Sequence, residues 1–80
     1  MALYTLLVKV EENERCVRYR FGPAEDRMGL VELDKVGGLV RELESVPGVN
    51  TQTDLSNARK QLFRLLAKGN GFPDVTAYQA

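Results

Sequence analysis

The sequence predicts a small α+β domain: an antiparallel sheet of about four strands, arranged as two hairpins, followed by one amphipathic helix packed on one sheet face, with an ordered C-terminal tail. Three observations carry this expectation. Apolar and polar residues alternate through the first half of the chain, leucines recur at helical spacing in the second, and glycine- or proline-bearing turns separate the segments. The 80 residues form a single domain, 1–80. A chain of this size removes about 60–65% of its unfolded surface on folding, enough for one modest core.

The first strand is expected from Leu3 to Val10, where Tyr4, Leu6, Val8 and Val10 alternate with Leu3, Thr5, Leu7 and Lys9. The even positions make the better core face. A second run starts at Arg15, and its apolar residues Val17, Tyr19 and Phe21 fall on odd positions. With Glu12-Asn13 as the hairpin tip, Val8 opposes Val17, Leu6 opposes Tyr19 and Tyr4 opposes Phe21, so one register puts these residues on one face. The same register sets Glu11 against Glu14, a like-charge pair that argues against it.

Gly22-Pro23 is expected to end the second strand, because proline donates no backbone hydrogen bond, with 24–29 as a polar loop. Leu30–Asp34 and Leu39–Glu44 then read as a second hairpin joined through Lys35-Val36-Gly37-Gly38, with Gly37 in the left-handed position. That turn pairs Leu33 with Leu39 and places Arg41 on the inner face opposite Val31. Either Arg41 snorkels from an edge strand or the register differs.

Pro47-Gly48 and the residues up to Gln52 form a connection, after which Thr51 or Thr53 caps a helix and Asp54 suits its positive end. Leu55, Ala58, Leu62, Leu65 and Leu66 supply the apolar stripe, and Lys68 followed by Gly69 ends it. The tail from Phe72 to Ala80 carries Phe72, Val75 and Tyr78, which are costly to leave in water, so it should pack back onto the sheet or the helix. The expected core is Tyr4, Leu6, Val8, Val17, Tyr19, Phe21, Val31, Leu33, Leu55, Leu62, Leu65 and Leu66.

Composition narrows the function. Lys plus Arg and Asp plus Glu are 11 each, so no overall field gathers nucleic acid or an anionic membrane. Cys16 is the single cysteine, which excludes an internal disulfide framework and fits a reducing, cytoplasmic setting. The N-terminal apolar run lacks a basic flank and is interrupted by Lys9, so it reads as a strand and not as a signal peptide or a membrane span. Histidine is absent, which removes the usual base near neutral pH, the commonest zinc ligand and every histidine-activated nucleophile. Cys16, with Arg15 and Arg18 nearby, is the one candidate for a lone nucleophile, but a small residue on the outer sheet face is the simpler reading. The carboxylates match no calcium-loop or glycosidase spacing, and the glycines match no phosphate-binding loop. No catalytic, cofactor-binding or metal-ligating residue is therefore assigned.

Two surfaces remain. Leu3 and Leu7 lie on the opposite side of the first strand from the expected core. With Cys16, Leu30 and Val40 they would form an apolar outer patch, of the kind that marks association, unless the C-terminal tail covers it. Arg59, Lys60, Arg64 and Lys68 form a basic stripe on the helix away from its leucines. Seven basic against nine acidic residues up to Gln52 give minus two, and four against two from Thr53 onward give plus two. That stripe is the basis of an alternative, a nucleic-acid-binding accessory role.

In order and turn residues, through Tyr4-Thr5-Leu6, Val17-Arg18-Tyr19-Arg20-Phe21-Gly22-Pro23, Gly29-Leu30-Val31 and Phe72-Pro73, the chain resembles small uncharacterised bacterial proteins in which β-strands precede a helix. The resemblance implies a bacterial single-domain protein and carries no activity, cofactor or site. The function expected from the residues is a non-enzymatic protein-interaction module, docking on itself or on another protein through the outer sheet face.

Overall fold

The computed structural model of the chain describes residues 4–48 and 52–79. It is an α+β structure of five strands and one helix: β1 (Tyr4–Glu12), β2 (Cys16–Ala24), β3 (Arg27–Asp34), β4 (Leu39–Glu44), α1 (Gln52–Lys68) and β5 (Val75–Gln79). All the pairings are antiparallel, in the order β4-β3-β2-β1-β5. The fold class follows the expectation, with one strand more. The C-terminal tail supplies it by pairing with β1, so the tail extends the edge of the sheet and does not cover its outer face.

The first hairpin pairs three positions out of step with the apolar pattern, and its tip is Glu14-Arg15 in place of Glu12-Asn13. Leu7 opposes Phe21 and Lys9 opposes Tyr19, and a bulge at Val10 shifts the pairing so that Glu11 meets Arg18. The cause is the turn. Asn13 accepts hydrogen bonds on Oδ1 from the backbone N–H groups of Arg15 (2.8 Å) and Cys16 (2.9 Å), and its own N–H donates to the Cys16 carbonyl at 2.9 Å. This Asx turn needs Asn13 at its first position. An odd register difference exchanges the two faces of a strand, so Thr5 and Leu7 enter the core while Tyr4, Leu6 and Val8 face the other way. The Glu11–Glu14 opposition disappears with it.

Gly22-Pro23 lies inside β2, at an irregularity where the β2–β3 register shifts between Phe21 and Ala24, which is where a sheet tolerates proline. In the last hairpin the positive φ of 67° belongs to Gly38, whose N–H donates to the Asp34 carbonyl at 2.8 Å. A four-residue turn results, and Val40, not Leu39, opposes Leu33. Arg41 accordingly opposes Glu32 on the outer face, which resolves its awkward inward placement.

The core between sheet and helix holds Leu7, Val17, Tyr19, Phe21, Val31, Leu33, Val40, Val46, Ala58 and Leu62, with Leu55, Leu66 and Phe72 packed around it. Of the expected core, Tyr4 is exposed, while Leu6, Val8 and Leu65 are half-buried. The helix begins at Gln52, so Thr53 is a helical residue and not the cap; Thr51 lies outside the described residues. Its buried face includes Asn57 and Gln61 beside Ala58 and Leu62. Asn57 Nδ2 donates to Thr5 Oγ1 (3.1 Å), the Thr5 hydroxyl donates to Asp54 Oδ1 (2.9 Å), and Gln61 Nε2 donates to Thr76 Oγ1 (2.9 Å). The helix thus grips β1 and β5 by polar contacts, while Ala58 and Leu62 join the apolar core. Gly69, at φ 70°, ends the helix with its N–H donating to the Leu65 carbonyl at 3.2 Å.

Candidate interaction surface

Alternation along each strand sends every second residue to the face opposite α1, and the registers arrange these residues in rows across the sheet. Leu39, Asp34 and Cys16 form one row, and Arg41, Glu32, Arg18 and Glu11 the next. A third runs Glu44, Leu30, Arg20, Val8 and Val75, and a fourth Gly22, Leu6 and Ala77, with Tyr4 beside Gln79 beyond it. The face is therefore charged in the middle and apolar at the β1–β5 corner. Among the described residues no helix or loop covers it, since α1 packs on the other side.

The charged rows are mutually satisfied. Glu32 Oε2 accepts from Arg18 Nε and its Oε1 from Arg41 NH2, both at 2.8 Å. The two guanidinium groups leave Glu32 only 8% exposed on an otherwise open face. Hydrogen bonds from Arg41 and Arg18 hold its carboxyl below the ordinary carboxylate range, against a smaller opposing effect of burial. Arg18 also lies 3.4 Å from Glu11, and Arg20 lies 3.0 Å from Glu44. Asp34 is likewise held low, by the backbone N–H groups of Gly37 and Val36 donating into Oδ1. Such carboxylates are committed to structure and do not stand ready as proton acceptors.

An open depression of 730 Å³ lies at the turn end of this face, lined by Arg15, Cys16, Glu32, Asp34, Leu39 and Arg41 among others. Its acidic groups are Glu14 and the two just described. Among the described residues no cluster of three or more Cys, Asp or Glu is placed to hold a metal ion. No helix of the structure is long and apolar enough to cross a membrane.

On the inner side, the same hairpin end is closed by a second charged group. Lys9 Nζ lies 2.9 Å from Glu12 and donates to the Phe72 carbonyl at 3.0 Å, while Lys35 meets Glu12 at 2.6 Å and lies over the Phe72 ring at 5.2 Å. Hydrogen bonds from Lys35 and then Lys9 pull Glu12 below its ordinary value. Beside them Tyr19 donates its hydroxyl to the Pro73 carbonyl at 2.6 Å, and burial pushes its pKa up to about 12. These contacts seat the segment that leads from α1 into β5.

The structure divides the expected interface residues. Cys16 and Leu30 lie half-buried on the open face. Leu7 is fully buried beneath the helix and Val40 is 6% exposed in the same core, so neither belongs to an outer patch, and Leu3 lies outside the described residues. The apolar corner consists instead of Tyr4, Leu6, Val8, Val75 and Ala77, of which Tyr4 (41%) and Val75 (60%) are the most exposed large side chains. The warning in the sequence was the Glu11–Glu14 clash, together with Asn13 as a turn former.

The basic stripe is divided too. Lys60 and Arg64 sit over the Tyr78 ring, at 5.9 and 5.3 Å from its centroid, toward the β5 edge. Arg59 lines a groove with Glu42 and Ser45 toward the β4 edge. Among the described residues none of Arg59, Lys60, Arg64 and Lys68 forms an ion pair. No protein-family model matches the chain, and neither a curated protein nor a solved structure matches it.

Proposed function

We propose that the chain is a non-enzymatic protein-interaction module whose docking surface is the sheet face opposite the helix, with a second copy of the chain as its occupant. The observation that carries this reading is the apolar corner of Tyr4, Leu6, Val8, Val75 and Ala77, which no other described element covers, beside a centre of paired charges. Exposed apolar groups that adjoin one another favour association. Arg18, Arg20 and Arg41 are matched by Glu11, Glu32 and Glu44, and Asp34 adds one negative charge, so the face has only a weak field to repel its own copy. A two-fold axis passing through the apolar corner would set each corner on the other.

The lack of histidine, and the hydrogen bonds that occupy Glu32 and Asp34 in the depression, support the non-enzymatic part. The nucleic-acid alternative has less support. A duplex or a single strand is best tracked by cations on one surface, whereas Arg59 points toward one sheet edge and Lys60 with Arg64 toward the other.

Sedimentation across a concentration series tests the reading. The wild type should shift toward twice its monomer mass as concentration rises, and Tyr4→Asp combined with Val75→Asp should hold it monomeric with its unfolding temperature little changed. A wild type that stays monomeric at every concentration removes the second copy as occupant.

A further inference from the structure

The two edges of the sheet differ. β4 carries Arg41, Glu42 and Glu44 and is interrupted by a bulge at Leu43, both devices that discourage a further strand. β5 reads Val-Thr-Ala-Tyr-Gln, with no charge, no proline and a regular register against β1. It is an unguarded edge.

The backbone groups that this edge offers follow from one hydrogen bond. Lys9 N–H donates to the Asp74 carbonyl at 2.7 Å, and these two residues continue the β1–β5 register. Antiparallel ladders alternate hydrogen-bonded and non-bonded pairs. Thr76 and Tyr78 therefore direct their backbone groups to β1, and Val75, Ala77 and Gln79 turn theirs to the open side.

Charge then selects what pairs there. On the helix side of β5, Lys60 and Arg64 stand over Tyr78 and have no carboxylate partner among the described residues. On the other side Val75 and Ala77 continue the apolar corner. A second copy of β5 is a poor fit, because it would bring its own Lys60 and Arg64 up to the first pair.

We propose that the β5 edge is a β-addition site for an extended peptide in which acidic residues alternate with apolar ones. The acidic side chains, opposite Thr76 and Tyr78, meet Lys60 and Arg64, and the apolar ones, opposite Val75 and Ala77, widen the outer corner. Main-chain pairing supplies affinity and the alternating side chains supply selectivity. This site shares Val75 and Ala77 with the face-to-face contact proposed above, but it is built on the open backbone edge of β5 and on Lys60 and Arg64.

A fluorescein-labelled peptide of about seven residues, alternating valine and glutamate, is a suitable probe for a site of strand length. Its anisotropy should rise on titration with the full chain, and hydrogen exchange should slow at the amides of Val75, Ala77 and Gln79. Ala77→Pro removes an edge N–H that β1 does not use and should abolish binding. Lys60→Glu with Arg64→Glu should weaken binding by roughly tenfold or more through like-charge opposition, and should create binding of the peptide with lysine in place of glutamate. The proposal is overturned if glutamate and lysine peptides bind the wild type equally, if Ala77→Pro binds as the wild type does, or if a mixed-sequence oligonucleotide binds and the glutamate peptide does not. The charge-reversal pair lies on the exposed helix surface, so it reports on recognition even where the proline variant unfolds.

Discussion

Asn57 on the helix donates its side-chain amide to the hydroxyl of Thr5 on the first strand, at 3.1 Å, in a place where both residues are almost wholly buried. The Thr5 hydroxyl passes its own proton toward Asp54, 2.9 Å away. This relay decides which face of β1 looks at the helix, because only odd positions bring Thr5 beneath Asn57. Thr5→Val keeps the shape and strands the amide, so unfolding in denaturant should show a loss of about 1–3 kcal/mol, the usual result of orphaning a buried polar group. Thr5→Ser should recover most of it. A neutral Thr5→Val would mean that the relay contributes nothing.

The exchange of faces along β1 is measurable by a pair of truncations. Leu7→Ala removes a fully buried side chain and should cost about 2–5 kcal/mol. Leu62→Ala, across the core on the helix, should fall in the same range. Val75→Ala, on a residue 60% exposed at the open corner, should change stability by no more than about 0.5 kcal/mol in the monomer. Equal losses at Leu7 and Val75 would contradict the observed packing.

Glu32 links stability to pH. Its carboxyl is held below the value of 4.5 that an unperturbed glutamate shows, chiefly by Arg41 and then Arg18. A depressed carboxylate stabilises the fold at pH values above its unfolded pKa, and that contribution is lost as the pH falls through the lower folded value. Glu12 and Asp34 act in the same direction. Glu32→Gln should therefore lower the unfolding temperature at neutral pH and reduce the further drop seen on acidification toward about pH 3. Parallel acid limbs for the variant and the wild type would show that Glu32 is not a source of that dependence.

Gly29 marks a close approach. A Cβ there would run into the Glu44 carbonyl oxygen and lie 2.8 Å from the Val46 nitrogen and 2.9 Å from a Phe21 ring carbon. Two of those neighbours are backbone and cannot swing aside. Gly29→Ala should destabilise by about 1–3 kcal/mol, as overpacking does, measured by chemical denaturation. Gly38→Ala meets no atom within 4 Å, and its loss should come from the positive φ alone.

Much of the architecture was legible in the residues themselves. Periods of two and of 3.6 residues separate strands from helix, and turn residues mark the joints, because those periods follow from local backbone geometry. Val17, Tyr19, Phe21, Val31, Leu33 and Leu62 were correctly placed in the core on that basis. Leu7 was not, because β1 is apolar on both faces and periodicity alone cannot choose between them. The choice came from the Asx turn at Asn13 and from Thr5 meeting Asn57, fifty-two residues away. The same holds for the site. Composition set the absence of histidine and the balance of charge, but only tertiary structure brought Val75 and Ala77 beside Leu6 and Val8, and Lys60 and Arg64 over Tyr78. Pairing of the last strand with the first joins the two ends of the chain, and no local pattern encodes a contact of that span.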